Sequence, residues 1–311
     1  FALFRHRLSG TIEYYNKYSV DLLAAINGSP TQGFGYTTLM TNNGKMVNRG
    51  VEITLSGEII RQKDFSWNAS LLYAFNRNKV KHISVQPSLW DSRISMPTSY
   101  PMVGKPLYGI YAYKWAGLNE NGDPQVYDAE NNVTSGPARD YHALVYCGTT
   151  VPIHNASLTN VLRYKGFEFS AMLILDAGHK LRSSNIPSIN MSNGRITSTA
   201  KGIVDRWTQP GDVTDVPRLL FSNDTENFNT HRTELYRYSD LFVYDASNIR
   251  LSNISLAYRV PAHWCKKISL SGARLQFNVE NVATFAFDSK ANYDLGGKVK
   301  PNYVWGLYLN F

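Results

Sequence analysis

The chain has 311 residues, of which 43% are hydrophobic and 13% aromatic (20 Tyr, 14 Phe, 6 Trp), while only 18% are charged. That length suits one large domain or two small ones. No apolar run approaches the roughly 18 residues of a membrane-crossing helix, so that class is excluded, whereas a membrane β-barrel stays open because its strands are only half apolar. The net charge of +8 comes from scattered Lys and Arg without a dense basic run or a binding motif, so nucleic acid is not expected as a partner.

No charged segment followed by an apolar stretch and a cleavage site opens the chain, so it is expected to have lost its start or to be part of a longer protein. Cys147 and Cys265 form neither a metal motif nor a disulfide framework and are expected as free thiols.

The first predicted strand is Arg7–Tyr14, with Leu8, Gly10, Ile12 and Tyr14 on one face. The second, Val51–Ile59, sets Val51, Ile53, Leu55, Gly57 and Ile59 against Glu52, Thr54, Ser56 and Glu58. In the third, Phe65–Phe75, the apolar face carries aromatics at both ends and Ala69 and Leu71 in the middle, as a lipid-facing strand does when rings collect at the two headgroup levels. Ala156–Tyr164 and Phe167–Ala177 flank Lys165-Gly166, and Asn248–Val260 and Ile268–Asn281 form a further pair. The last strand, Asn302–Phe311, alternates Tyr303, Trp305, Leu307, Leu309 and Phe311 with Gly306, Tyr308 and Asn310.

Between these eight strands, long connections (to about Val47, 78–155, 178–247, 282–301) alternate with short ones (61–64, 165–166, 261–267). An up-and-down antiparallel sheet puts all short turns at one end and all long loops at the other, as outer-membrane barrels do with periplasmic turns and extracellular loops. A soluble carbohydrate-binding β-sandwich, the rival architecture, has Greek-key crossings and no reason to produce this parity. The expected fold is therefore all-β: an antiparallel transmembrane β-barrel in the bacterial outer membrane. The orientation ends the chain in the periplasm, where Tyr303, Trp305, Leu307, Leu309 and Phe311 resemble the C-terminal signal read by the barrel assembly machinery. Eight strands make a small barrel filled by side chains, but the two longest loops are too large for one, and long loops are usually functional. The chain is thus expected to be the C-terminal segment, 1–311, of one larger barrel domain.

Several passages resemble the SusC/RagA-type TonB-dependent transporters. Asn42-Asn43-Gly44-Lys45-Met46-Val47-Asn48-Arg49-Gly50-Val51-Glu52 is similar to a passage of that family, as are Asp64-Phe65-Ser66-Trp67 with Asn76-Arg77-Asn78-Lys79-Val80. The same holds for Gly104–Gly109 through Trp115–Leu118 to Gly122-Asp123-Pro124, for Arg237-Tyr238 to Asn248–Leu251 and Ser255–Tyr258, and for Asn278–Asn281 with Phe285. The order of these passages is kept along the whole chain. The resemblance implies a barrel of about 22 strands, of which these are the last eight, the plug domain and TonB box lying elsewhere. It further implies a SusD-like surface lipoprotein as partner, coupling to TonB, and import of an oligosaccharide or peptide. The stretch Asp288–Asp294 departs from the family's Asp-Pro-Glu-like element, which leaves the ligand class open. A structural or adhesive barrel without TonB coupling is the alternative.

No catalytic motif joins the seven dispersed histidines to a nucleophile or metal, so no enzyme, cofactor or metal is expected. Asn119-Glu120-Asn121-Gly122-Asp123 has a superficial likeness to a calcium loop but fits an Asn-Gly turn better. Ring-bearing loop residues are the candidates for ligand or partner contact, because sugars present apolar C–H faces and peptides apolar side chains. They are Trp90, Tyr100, Tyr108, Tyr111, Tyr113, Trp115 and Tyr127 in one loop, and Trp207, Phe221 and Phe228 in the next. The competing expectation is that such rings pack the loops internally or against the lipoprotein. Glu52, Glu58, Glu168, Asp176, Arg259 and Arg274 are expected on the lumen wall, facing the plug.

Overall fold

The computed structural model describes residues 1–27, 31, 33, 38–85, 92–136, 140–192, 195–219, 230–296 and 300–311. Eight long strands form one antiparallel sheet in which each pairs with its neighbours in sequence: β1 (Leu8–Asn27), β2 (Thr38–Arg61), β3 (Phe65–His82), β4 (His154–Tyr164), β5 (Phe167–Ala177), β6 (Asn248–Arg259), β7 (Gly272–Ala286) and β8 (Asn302–Asn310). Ala2–Leu3 folds back on β1 as a two-residue addition. The nearest-neighbour order is that of an up-and-down barrel wall, not of a two-sheet sandwich.

Register carries the alternation across the sheet. Near the end with short turns, Phe65, Tyr164, Phe167, Tyr258, Leu275 and Leu307 lie in one cross-strand row. The next row of that face holds Trp67, Leu162, Phe169, Leu256, Phe277 and Trp305. Leu55, Leu71, Leu158, Leu173 and Leu251 form a middle row, and Tyr14, Val51, Phe75 and His154 an outer one. Aromatic rings thus bracket an aliphatic middle, as lipid contact requires. Asn160 is the polar exception in this band, and its Oδ1 accepts the Trp67 indole N–H at 3.1 Å, because an unpaired amide facing hydrocarbon is costly.

The opposite face is mostly polar, with Leu72, Met172 and Ile174 among its apolar members. Ser9, Ser56, Ser70 and Thr159 share one row, with Ser56 and Ser70 hydroxyls 3.2 Å apart. Glu168 receives Arg163 at 2.7 Å and Arg274 at 3.0 Å, and Asp176 receives Asn155 at 2.7 Å and Arg250 at 3.3 Å.

The first three strands run beyond their predicted ends. β1 has 20 residues, β2 24 and β3 18, whereas roughly 9–11 span a bilayer. The first long connection is therefore mostly ladder, and only 28–37 separates β1 from β2. Alternation stops at the membrane surface because both faces there meet water, but main-chain pairing continues through bulges at Ser19–Leu23 and Lys45–Met46. β7 is displaced the other way. Residues 268–271 are not strand: Ser269 takes φ +58° and ends the helix Ala262–Lys266, with Leu270 N–H donating to Cys265 O. Cys265 lies in this turn and Cys147 at the long-loop end, both as free thiols.

The orientation predicts two labelling results in the full-length protein with Cys147 replaced by Ser. Val213→Cys, at a fully exposed position of the third long connection, should react with an impermeant thiol reagent on intact cells. Lys63→Cys, in the β2–β3 turn, should react only after the outer membrane is opened, and the opposite pattern would invert the barrel.

Candidate functional site

The described residues of the connections 83–153, 178–247 and 287–301 fold into one assembly at the end of the wall opposite the short turns. Gly109–Tyr113 pairs with Leu144–Thr149, and Trp115–Leu118, Pro124–Tyr127 and Val133–Thr134 make a three-stranded sheet. Lys180–Arg182 pairs with Val243–Asp245, continuing the ends of β5 and β6 outward. The helix Thr230–Arg237 supplies Leu235 to a core made with Tyr111, Tyr113, Val126, Ala143 and Leu144.

Three polar tethers join connections that lie far apart in sequence. Arg182 donates from Nη2 to Tyr111 O at 2.6 Å and from Nη1 to Ser239 O at 3.3 Å, with its guanidinium 5.5 Å from the Tyr238 ring. Asp123 is gripped by Arg218 at 3.1 Å through both oxygens and by Arg232 at 2.6 Å. Ser184 donates from both its N–H (3.0 Å) and hydroxyl (2.7 Å) to Asp294, which brings in the last connection.

Asp123 is set by the Asn-Gly turn. The Asn119 side chain accepts from Asn121 N–H at 3.0 Å and Asp123 N–H at 2.9 Å, and Gly122 sits at φ +74°. A Cβ at Gly122 would collide with the Trp207 ring, so the ring lies flat on the turn. The turn is thus a docking point for 207–218. Among the described residues no group of three or more His, Cys, Asp or Glu is placed to hold a metal.

Burial raises the Asp123 carboxyl, but the hydrogen bonds and charges of Arg218 and Arg232 outweigh it and hold the group below the ordinary carboxylate range. Burial also presses Arg232 down, against the pull of Asp123. Cys147 is pushed up to about 11, first by burial and then by Asp240, despite Arg182 and Lys180.

The candidate rings fall into three groups. Tyr111 (1% exposed) and Tyr113 (0%) are the centre of the assembly's core. Trp115, Tyr127, Trp207 and Tyr100 are half-buried: the Trp115 indole donates to Asp215 at 3.1 Å and lies 5.7 Å from Tyr236, and Lys114 sits 4.6 Å over Tyr127. Tyr108 is exposed, with its carbonyl taken by Thr150 N–H. Trp90, Phe221 and Phe228 lie outside the described residues. Arg182, Arg218 and Arg232 were not singled out from the sequence. Their partners are main-chain carbonyls and one Asp about a hundred positions away, and the only local signal was the Asn121-Gly122 turn that presents Asp123. At the chain's end, Tyr303, Trp305, Leu307, Leu309 and Phe311 are all exposed on the lipid face of β8 and its last residue.

An apolar band ringed by aromatics, a polar opposite face and consolidated loops at one end define a wall segment of an outer-membrane β-barrel. The sequence of residues 1–282 matches the family described as TonB dependent receptor-like, beta-barrel, and the chain belongs to that family. It is 25% identical to TonB-dependent receptor P3 of Formosa agariphila over 98% of this chain and 31% of that protein. To TonB-dependent receptor SusC of Bacteroides thetaiotaomicron it is 23% identical over 90% of this chain and 27% of that one. Its fold superposes on a solved structure of the RagAB peptide transporter with a TM-score of 0.74 at 22% identity, covering 100% of this chain and 34% of that one. The chain therefore spans about a third of the length of its relatives, and it is part of an outer-membrane protein of the TonB-dependent receptor family.

Asp123→Asn should free 207–218 from the Asn-Gly turn, since it leaves two guanidiniums facing each other. A local loss of about 1–3 kcal/mol is expected for a partly buried pair, read as faster hydrogen exchange there with the wall strands unchanged. Because the folded carboxyl is depressed, this contribution is complete at neutral pH and fades only as pH falls through that depressed value. Cys147 should react with maleimide at pH 8 about a hundredfold more slowly than an unperturbed thiol, because its thiolate fraction is that much smaller. Similar rates would show the thiol to be open.

Proposed function

We propose that this chain is the C-terminal part of the wall and extracellular mouth of a TonB-dependent importer that brings a nutrient across the outer membrane without chemistry of its own. The observation that carries this is the loop assembly: one packed, cross-tethered body at the extracellular end of a wall with a polar inner face, in a chain of the TonB-dependent receptor family. A pore that only let solutes diffuse would need no such body, and long ordered loops on a rigid scaffold are where binding residues sit.

In the finer form of the proposal, the importer works with a SusD-like surface lipoprotein as lid, and the cargo is an oligosaccharide or a peptide. The likeness to SusC and RagAB supports a SusD-like partner, and RagAB itself is described as a peptide transporter. Energy coupling through TonB and the plug is assigned to residues outside this chain. Tyr108, with half-buried Tyr100, Trp115, Tyr127 and Trp207, supplies rings for cargo or lid, as Trp90, Phe221 and Phe228 do in the proposal. Tyr303, Trp305, Leu307, Leu309 and Phe311 act as the assembly signal.

The test is uptake by cells carrying the full-length gene. Import should stop when TonB is removed, and an adhesive or structural barrel would be left unchanged by that deletion. Tyr108→Ala should lower uptake about 2- to 10-fold at unchanged surface abundance, the worth of one ring contact. Tyr111→Ala should instead lower abundance, because emptying that core position costs about 3–5 kcal/mol.

A further inference from the structure

A cationic cavity lies on the outside of the wall, just beyond the lipid band. Past the outer apolar row of Tyr14, Val51, Phe75 and His154, the same face continues as Asn16, Arg49 and Arg77, and then as Tyr18, Val47 and Lys79. Each step along a strand is about 7 Å, so Arg49 and Arg77 stand one step above the last ring. Lys81 follows in a bulge, where the register passes from Lys45–His82 to Met46–Val80.

The segment carrying Gly104 and Lys105 docks beside β3 through Gly104 N–H to Val80 O and Val80 N–H to Lys105 O, both at 2.9 Å. It closes a cavity of about 600 Å³ in which Arg49, Arg77, Lys79, Lys81 and Lys105 meet. Phe75, Val47, Val151 and Ile153 supply its apolar lining, and no carboxylate lines it among the described residues. Lys105 is held 4.8 Å over the Tyr146 ring, and the Arg49 Nε donates to Asn16 at 3.0 Å. None of the five cations is ion-paired to a described carboxylate.

Five cations lining one cavity with no carboxylate beside them make it attractive to anionic charge. Its height selects the source. From Phe65 to Phe75, rings mark both ends of β3's lipid stretch, and that length is what a tilted strand needs to cross the hydrocarbon. Arg77 and Arg49 then lie at headgroup level on the outward face, where a lumen ligand does not reach. Arg presents a planar fork to phosphate and Lys a point charge. We propose that this cavity binds the phosphate of a phosphorylated outer-leaflet glycolipid of the lipid A type, its acyl chains lying on the Phe75 row below.

The test uses the full-length transporter in detergent, with native mass spectrometry as readout. The probes are phosphorylated lipid A, the same lipid after phosphatase treatment, and inorganic phosphate. Phosphorylated lipid A should be retained at least about tenfold more tightly than the dephosphorylated form. Arg77→Gln with Lys79→Gln should erase the preference, and the charge-preserving pair Arg77→Lys with Lys79→Arg should keep it, which separates binding from folding. Equal retention of the two lipids by the unmodified protein, displacement by millimolar inorganic phosphate, or a co-purifying protein covering Arg77 and Lys79 would each overturn the proposal.

Discussion

Hydrocarbon offers no partner to a main-chain N–H or carbonyl, so a strand that crosses it must be paired along both edges. Strands β2 to β7 obey this through sequential antiparallel pairing, and the rest of the molecule follows from it. Once register is fixed, every second side chain meets lipid and the others meet the interior, and a slip of one residue would exchange the faces. The row of Leu55, Leu71, Leu158, Leu173 and Leu251 and the polar row of Ser9, Ser56, Ser70 and Thr159 are two results of one ladder. Where a polar side chain falls on the lipid face, as Asn160 does, the same constraint demands a local partner, and Trp67 provides it.

Above the membrane the constraint relaxes, and a different economy holds. The loop assembly has a small core around Tyr111 and Tyr113 and relies on charged side chains that reach across connections. Arg182 satisfies main-chain carbonyls from two separate segments, and Asp123 gathers two arginines. Such tethers hold loops that a hydrophobic core of this size would hold only weakly. They give the assembly a fixed shape on the rim of the wall, which is what a recognition surface needs.

The wall was legible in the sequence to the extent that lipid imposed a pattern. Phe167–Ala177 was bounded correctly because alternation runs its full length and the Lys165-Gly166 turn marks its start. β1, β2 and β3 outran their predicted ends because pairing above the membrane leaves no period-two trace. Residues 268–271 have strand-like composition, yet a left-handed Ser269 turns them into the cap of a short helix. In the loops, a ring buried in a core and a ring left exposed look alike in sequence, so Tyr111 and Tyr108 could not be told apart. The tethers were illegible for another reason: a single Arg bonded to distant carbonyls has no spacing to detect.

The unequal connections also bear on how such a wall is put together. β1–β2, β2–β3, β4–β5 and β6–β7 are separated by only 28–37, 62–64, 165–166 and 260–271, whereas β3–β4 and β5–β6 are joined only through 83–153 and 178–247. Closing a loop costs entropy that rises with the logarithm of its length, by about 0.6 kcal/mol per doubling, and pairings between distant residues form slowly. The units β1–β2–β3, β4–β5 and β6–β7 are therefore the ones expected to zip early. Joining one unit to the next waits on the extracellular segments, so the body that forms the mouth also sets the pace at which the wall is completed.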